Sequence, residues 1–288
     1  MPRHCPLCVS PAGKKAFPFA TQWNGSRFDY FACTGCECTF VDPLPSEADF
    51  AAMYAGGYHE EHYTEATRAP YDRSVDWLIA HRPGQQRILD FGCGTGLFIA
   101  AATAQGFACA GTEHESALAT ARERIGVPVR TIAETIASQQ RFDIIHLGDV
   151  FEHLPNPSQT LSELRQLLAP SGTFFIEGPL QRQASVVYHS ANFIKRVRRA
   201  LGRDRVGHEP PTHLILVSAR AQRDFFQRRG WQEQAFRMWE DGWPYYHPGR
   251  RPNSTGTVVR GGIGLTAVAV ARLMPALGNR FRLITQPS

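Results

Sequence analysis

The chain has 288 residues, enough for one large or two moderate domains with a sizeable core. It is 43% hydrophobic and 20% charged, with no low-complexity tract and no internal repeat, which excludes a disordered or fibrous protein. A net charge of +5 suits an anionic ligand and does not by itself indicate nucleic acid. The start, MPRHCPLCVSPAGKK, lacks the apolar core of a signal peptide, so a cytoplasmic protein is expected.

The first element is a cysteine module. Cys5 and Cys8 form one C-x-x-C pair and Cys33 and Cys36 a second, with Cys38 left over. Two residues between cysteines let both sulfurs of a knuckle face one ion, and two knuckles complete a tetrahedral thiolate site for structural zinc. Phe28, Tyr30 and Ala32 alternate as along a half-buried strand, so residues 1–45 read as a zinc ribbon held by Cys5, Cys8, Cys33 and Cys36. Unligated thiols and a redox pair are the alternatives, and no thioredoxin-like βαβ pattern supports the second. Such a short segment buries little apolar surface, so the metal supplies the missing stability.

Asp42, Pro43 and Pro45 mark a linker, and Ser46 with Asp49 opens a helical cap over 46–84. Tyr54, Tyr58 and Tyr63 lie within it. From Arg87 a short strand ends in Asp90 and runs into glycines at 92, 94 and 96, followed by an apolar helix that stops at Gly106. Strand, glycine turn and helix make a loop where backbone closely approaches a ligand facing the helix N-terminus. The next strand ends in Glu113, placed to accept hydrogen bonds from two ribose hydroxyls. Helix, strand, strand, helix and strand follow to about residue 178, the alternation of a doubly wound α/β sheet.

Asp90-x-Gly92-x-Gly94-x-Gly96 resembles the first motif of class I S-adenosylmethionine (SAM)-dependent methyltransferases. The stretch FDIIHLGDVFEHLPNP resembles their fourth strand and the turn after it. The resemblance implies a Rossmann-like doubly wound sheet with a small N-terminal zinc ribbon and helical cap, the methyltransferase domain covering 85–288. By position, Gly92, Cys93 and Gly94 would lie against the methionine part of SAM, Glu113 at the ribose, Glu134 near the adenine, and Asp149 along the methionine moiety. Cys93 also reads simply as a small loop residue. The segment around His213 resembles that of ribbon-bearing biosynthetic methyltransferases, in whose sugar C-methylating members a histidine is the base, beside a tyrosine and a glutamate. Pro210 and Thr212 occupy those two places here, so the neighbouring pair is missing. His153 is the second candidate base, and His208 a weaker third. In some quinone-pathway O-methyltransferases a similar acid-rich segment holds a divalent metal; one acid of that pattern is missing here.

Between the fifth strand and His213 lies a basic insertion at about 181–212. Lys195, Arg196, Arg198, Arg199, Arg203 and Arg205 accompany an apolar stripe of Phe193, Val197 and Leu201. It suits a phosphate-bearing acceptor or a peripheral membrane contact, and a solvated helix packed by one face is the plainer reading. Two further strands are expected at GWQEQAFRMW and RFRLITQ. Between them Gly261–Ala271 is about half a membrane span and reads as a buried helix. The favoured function is SAM-dependent methylation of a small-molecule or sugar- or nucleotide-linked biosynthetic intermediate. The alternatives are an RNA methyltransferase gripping RNA through the ribbon, disfavoured by the few cations there, and a non-catalytic SAM- and zinc-binding protein.

Overall fold

The computed structural model describes residues 3–54, 68–203, 206–246 and 254–288. Tyr58, Tyr63 and Arg205 lie outside the described residues. The chain divides into two compact units, each discontinuous in sequence. One comprises Pro45–Glu177, Gly230–Ala235 and Leu283–Ser288; the other comprises Met1–Leu44, Gly178–Arg229 and Phe236–Arg282.

In the second unit the N-terminal strands are β1 (Ala12–Trp23), β2 (Ser26–Cys33) and β3 (Thr39–Asp42). β1 and β2 pair antiparallel around Asn24 and Gly25, whose positive φ values of 49° and 77° give the two-residue turn that matches strand twist. Phe28 and Tyr30 are buried, as their alternation requires. A short strand, far along the chain at Ile215–Leu216, adds to β3 and makes a four-stranded sheet.

The other unit is built on parallel strands. After α1 (Glu47–Tyr54) and α2 (Ala69–His81) come β4 (Arg87–Phe91), α3 (Leu97–Ala104), β5 (Ala108–Thr112), α4 (Glu115–Arg124) and β6 (Val129–Arg130). Then follow α5 (Ile132–Ala137), β7 (Phe142–Gly148), α6 (Pro157–Arg165) and β8 (Leu168–Pro179). α5 was not expected from the sequence; Thr131 and Glu134 build it as a capping box. After β8 the chain forms α7 (Val186–Ala200), β9 (Ile215–Leu216), α8 (Ala219–Gln227), β10 (Trp231–Trp239), α9 (Thr255–Leu273) and β11 (Arg280–Pro287). The large sheet runs β10-β11-β8-β7-β4-β5-β6, with β6, β5, β4, β7 and β8 parallel. Its core packs Val75 and Leu78 of α2 and Phe98 and Ala102 of α3 against Ile88, Ile144 and Phe175 of the strands. These strands are buried on both sides, which explains their near-continuous apolar runs.

α9 departs from expectation. The helix is longer than Gly261–Ala271, and only Gly264, Ala267 and Ala271 along it are buried.

Candidate functional site

The glycine loop joins β4 to α3. Gly92, Gly94 and Gly96 take φ values of 72°, 53° and 77°, a region L side chains rarely enter. A Cβ on Gly92 would approach Val150 Cγ2 to 2.8 Å, and one on Gly96 would meet Ile125 Cγ1 at 2.6 Å. The N–H groups of Gly92 and Cys93 both donate to the Thr112 carbonyl, at 2.9 and 3.0 Å, and so tie the loop to the end of β5. The Gly94 N–H instead donates to the Glu113 carboxylate at 2.8 Å. The other oxygen of that carboxylate accepts from the His114 N–H at 2.8 Å. An anionic acceptor therefore sits directly at the loop, at the carboxyl edge of the sheet where such folds bind ligands. Cys93 turns its thiol inward, against Ile99 and the α4 residues Leu118 and Ala121; only its backbone faces the loop, and burial pushes the thiol pKa up.

Asp90 does not open onto the loop. It is buried and accepts from His146 Nδ1 at 2.7 Å, while His146 Nε2 lies 3.3 Å from Glu177. Glu177 also accepts from the Ser74 hydroxyl at 2.9 Å. The His146 ring stacks on Phe98, centroids 3.5 Å apart. Burial alone would push the imidazole pKa down, but Asp90, joined by Glu177, raises it to about 9. A protonated histidine thus bridges β4, β7 and β8 beneath the glycine loop. Sequence reading missed it, because its partners are 56 and 31 residues away.

Asp149 follows β7 with φ of 53°, and its N–H donates to the Glu177 carbonyl. A one-turn 3-10 segment, Phe151–His153, then carries buried Glu152 and places His153 Nε2 3.9 Å from its carboxylate. Glu134 has a different employment. Its carboxylate closes the α5 capping box and pairs with Arg122 at 2.9 Å on the surface. The Thr131 N–H, then Arg122, hold its pKa below the usual value.

His213 belongs to the unit containing the cysteines. It is half-buried, and its Nδ1 lies 2.8 Å from Gln181 Oε1. In the same unit His208 lines an open cavity of about 400 Å³ with Gln22, Trp23, Asn24 and Gly25. Glu240 is buried there too, accepting from the Ser185 hydroxyl and the Gly242 N–H, both at 2.8 Å. Burial, against those two hydrogen bonds, raises its pKa to about 7.

Five of the seven cysteines, Cys5, Cys8, Cys33, Cys36 and Cys38, form one cluster, and none is in a disulfide. Cys5 Sγ lies 3.6 Å from Cys36 and 3.4 Å from Cys38, and Cys8 Sγ lies 3.3 Å from Cys33. Four zinc-bound thiolates would be about 3.8 Å apart, so the spacing fits a metal. N–H groups of Leu7, Gly35 and Cys36 point at the sulfurs of Cys5 and Cys33, as suits thiolates. Cys38, left over by the spacing, lies in the cluster as well. It is fully buried and belongs, with Cys5, Cys33 and Cys36, to a group whose sulfurs all lie within 4.8 Å of one another.

A family model described as "Methyltransferase domain" matches residues 59–234, well over half of the chain. Among curated proteins, the ubiquinone biosynthesis O-methyltransferase of Aromatoleum aromaticum is 32% identical over 111 residues, which is 35% of this chain and 47% of that protein. The enzyme of the same description from Pseudomonas aeruginosa is 31% identical over 113 residues, covering 35% and 48%. The chain thus spans about half the length of the curated relatives it matches. Among solved structures, a SAM-dependent methyltransferase from Archaeoglobus fulgidus aligns over 76% of this chain and 94% of its own, at 18% identity and a TM-score of 0.49. The plantazolicin methyltransferase BpumL with SAH aligns over 84% and 92%, at 15% identity and a TM-score of 0.48. Neither structural likeness bears on activity. With the family match spanning β4 to β8 and the loop between β4 and α3, the chain belongs to the methyltransferase domain family.

Proposed function

We propose that the chain transfers a methyl group from SAM to a small-molecule acceptor. The observation that carries this reading is the Gly94 N–H turned onto Glu113 at the mouth of a left-handed glycine loop. In this reading the backbone of Gly92, Cys93 and Gly94 lies along the methionine part, Asp149 lines the same moiety, and Glu113 takes the ribose hydroxyls. Gly96 starts α3 and sets its N-terminus. Asp90 acts from below, through His146, and keeps the loop in place. Glu134 closes the α5 cap. The names of the curated relatives support a small-molecule acceptor methylated on oxygen.

SAM supplies an electrophilic methyl on a sulfonium, so the chain's task is to align an acceptor with it and exclude water. A hydroxyl acceptor must also lose a proton. His153 and His213 are the two candidates to take it, and single alanine variants compared by kcat across pH separate them. Titration calorimetry with S-adenosylhomocysteine tests the cofactor site. Glu113→Gln should weaken binding at least about tenfold. Failure of the wild-type chain to bind would overturn the reading.

We also infer a structural zinc in the cysteine cluster, held by Cys5, Cys33 and Cys36 with Cys8 or Cys38 completing four ligands. Four thiolates leave no open position for catalysis at the metal. The chemistry of the donor set supports this: five reduced thiols converge at one place, with backbone N–H groups turned onto two of the sulfurs.

A further inference from the structure

α9 is packed inside out. Its inward stripe is Gly264, Ala267 and Ala271. A Cβ on Gly264 would come within 2.5 Å of Tyr246 Cβ and 3.1 Å of the Gly242 carbonyl oxygen, so close docking demands small residues. The bulky apolar side chains point the other way: Val258, Val259, Leu265 and Leu273 are between 51% and 86% exposed. Among the described residues it is the one helix long and apolar enough to cross a membrane, yet only 17% of its apolar window is buried. A helix on a water-facing surface is arranged the opposite way.

α7 repeats the inversion. Lys195 and Arg199 lie over the rings of Phe17 and Phe19 on β1, so cations face the protein. The stripe of Phe193, Val197 and Leu201, with Ile194 beside it, is exposed. Helical spacing places Arg196 and Arg198 on its two borders. α7 packs against α9, so the two apolar faces lie on neighbouring helices. Their charge has one sign: no acid occurs between Ser185 and Arg203 or within α9, which carries Arg260 and Arg272.

We propose that the α7–α9 face docks on an anionic phospholipid surface. Apolar side chains bordered by arginines with no acid among them match an interface of acyl chains and phosphate headgroups. A symmetric contact with a second copy would set arginine against arginine. α9 lies on the membrane and does not cross it, because its small-residue stripe stays docked on Gly242 and Tyr246. The proposal does not depend on methyl transfer.

Co-sedimentation of the full chain with vesicles is the test. Binding is expected to phosphatidylcholine vesicles carrying about 30% phosphatidylglycerol, to weaken with added salt, and to be absent on phosphatidylcholine alone. Val259→Glu with Leu265→Glu, and separately Arg196→Glu with Arg198→Glu, should weaken binding at least about tenfold without changing the melting temperature. All four side chains are exposed, so folding is not at stake. Wild-type protein that ignores anionic vesicles, or variants that bind as well as wild type, would overturn the proposal. So would a dimer, seen by sedimentation velocity, that these substitutions dissociate while no vesicle binding occurs.

Discussion

His146 is held as a cation in the core of its unit. It is 1% exposed and lies between two buried carboxylates. Removing the cation would leave the Asp90 and Glu177 carboxylates close together with no positive charge between them in a dry site, which typically costs about 3–5 kcal/mol. His146→Gln keeps the volume and one hydrogen bond but not the charge. We expect it to lower stability by roughly that amount, read from urea unfolding. Because Asp90 begins the glycine loop, the variant should also weaken S-adenosylhomocysteine binding. His146→Phe tests the converse: if it is as stable as wild type and binds equally well, the charge positions nothing. The histidine was visible in the sequence as one polar letter in an apolar strand. Its role was not, because both partners arrive through the parallel pairing of β4, β7 and β8, which no local pattern encodes.

At the scale of elements, legibility followed period and punctuation. The strand–glycine–helix unit of β4 and α3 carries local signals and appears where those signals put it. α9 was read as buried because its residues are apolar, but apolarity does not say which face packs. The small-residue stripe at Gly264, Ala267 and Ala271 was the available signal. The cysteine hairpins show the same limit. Spacing identified two knuckles, whereas the turn at Glu37, with φ of 63°, brings Cys38 back into the cluster. Five donors for four positions give a specific expectation. Cys36 is shared by both four-cysteine sets, with Cys5 and Cys33 beside it, so Cys36→Ser should weaken zinc binding more than loss of Cys8 or Cys38. Cys8→Ser and Cys38→Ser should each retain about one zinc per chain, the other thiol filling the vacancy. Metal analysis of the three purified variants decides it; a loss in either single variant as complete as in Cys36→Ser refutes the exchange. Chelation of the wild type should speed hydrogen exchange at the ends of β1 and β2 nearest the cysteines, where the metal would tie the two knuckles together.

For the molecule as a whole, pH is the variable that reads both units at once. Asp29 and Asp143 are held below their usual values: burial opposes this, but Lys15 and Arg27 at one site and Arg87 at the other prevail. Their contribution is complete above the unfolded value near 3.8 and is lost as pH falls below it. Glu240 and His146 work in the other direction. Glu240 rises from 4.5 to about 7, so the native state favours its protonated form. The stability it contributes is full below pH 4.5 and gone once pH has passed 7. His146 rises from 6.5 to about 9, so its contribution is full below 6.5 and lost as pH climbs through 9. Stability should therefore peak in acid, between about pH 3.8 and 4.5, and decline in two steps toward alkaline pH. Melting temperatures measured at closely spaced pH values check this. Glu240→Gln should flatten the step between pH 4.5 and 7 and raise the melting temperature by a few degrees, about 2–4 °C, at pH 8. His146→Gln should erase the later step and leave the earlier one. The two substitutions should act additively, because Glu240 and His146 share no hydrogen-bond partner among the described residues. A wild-type protein whose melting temperature rises steadily from pH 5 to 9 would refute both assignments.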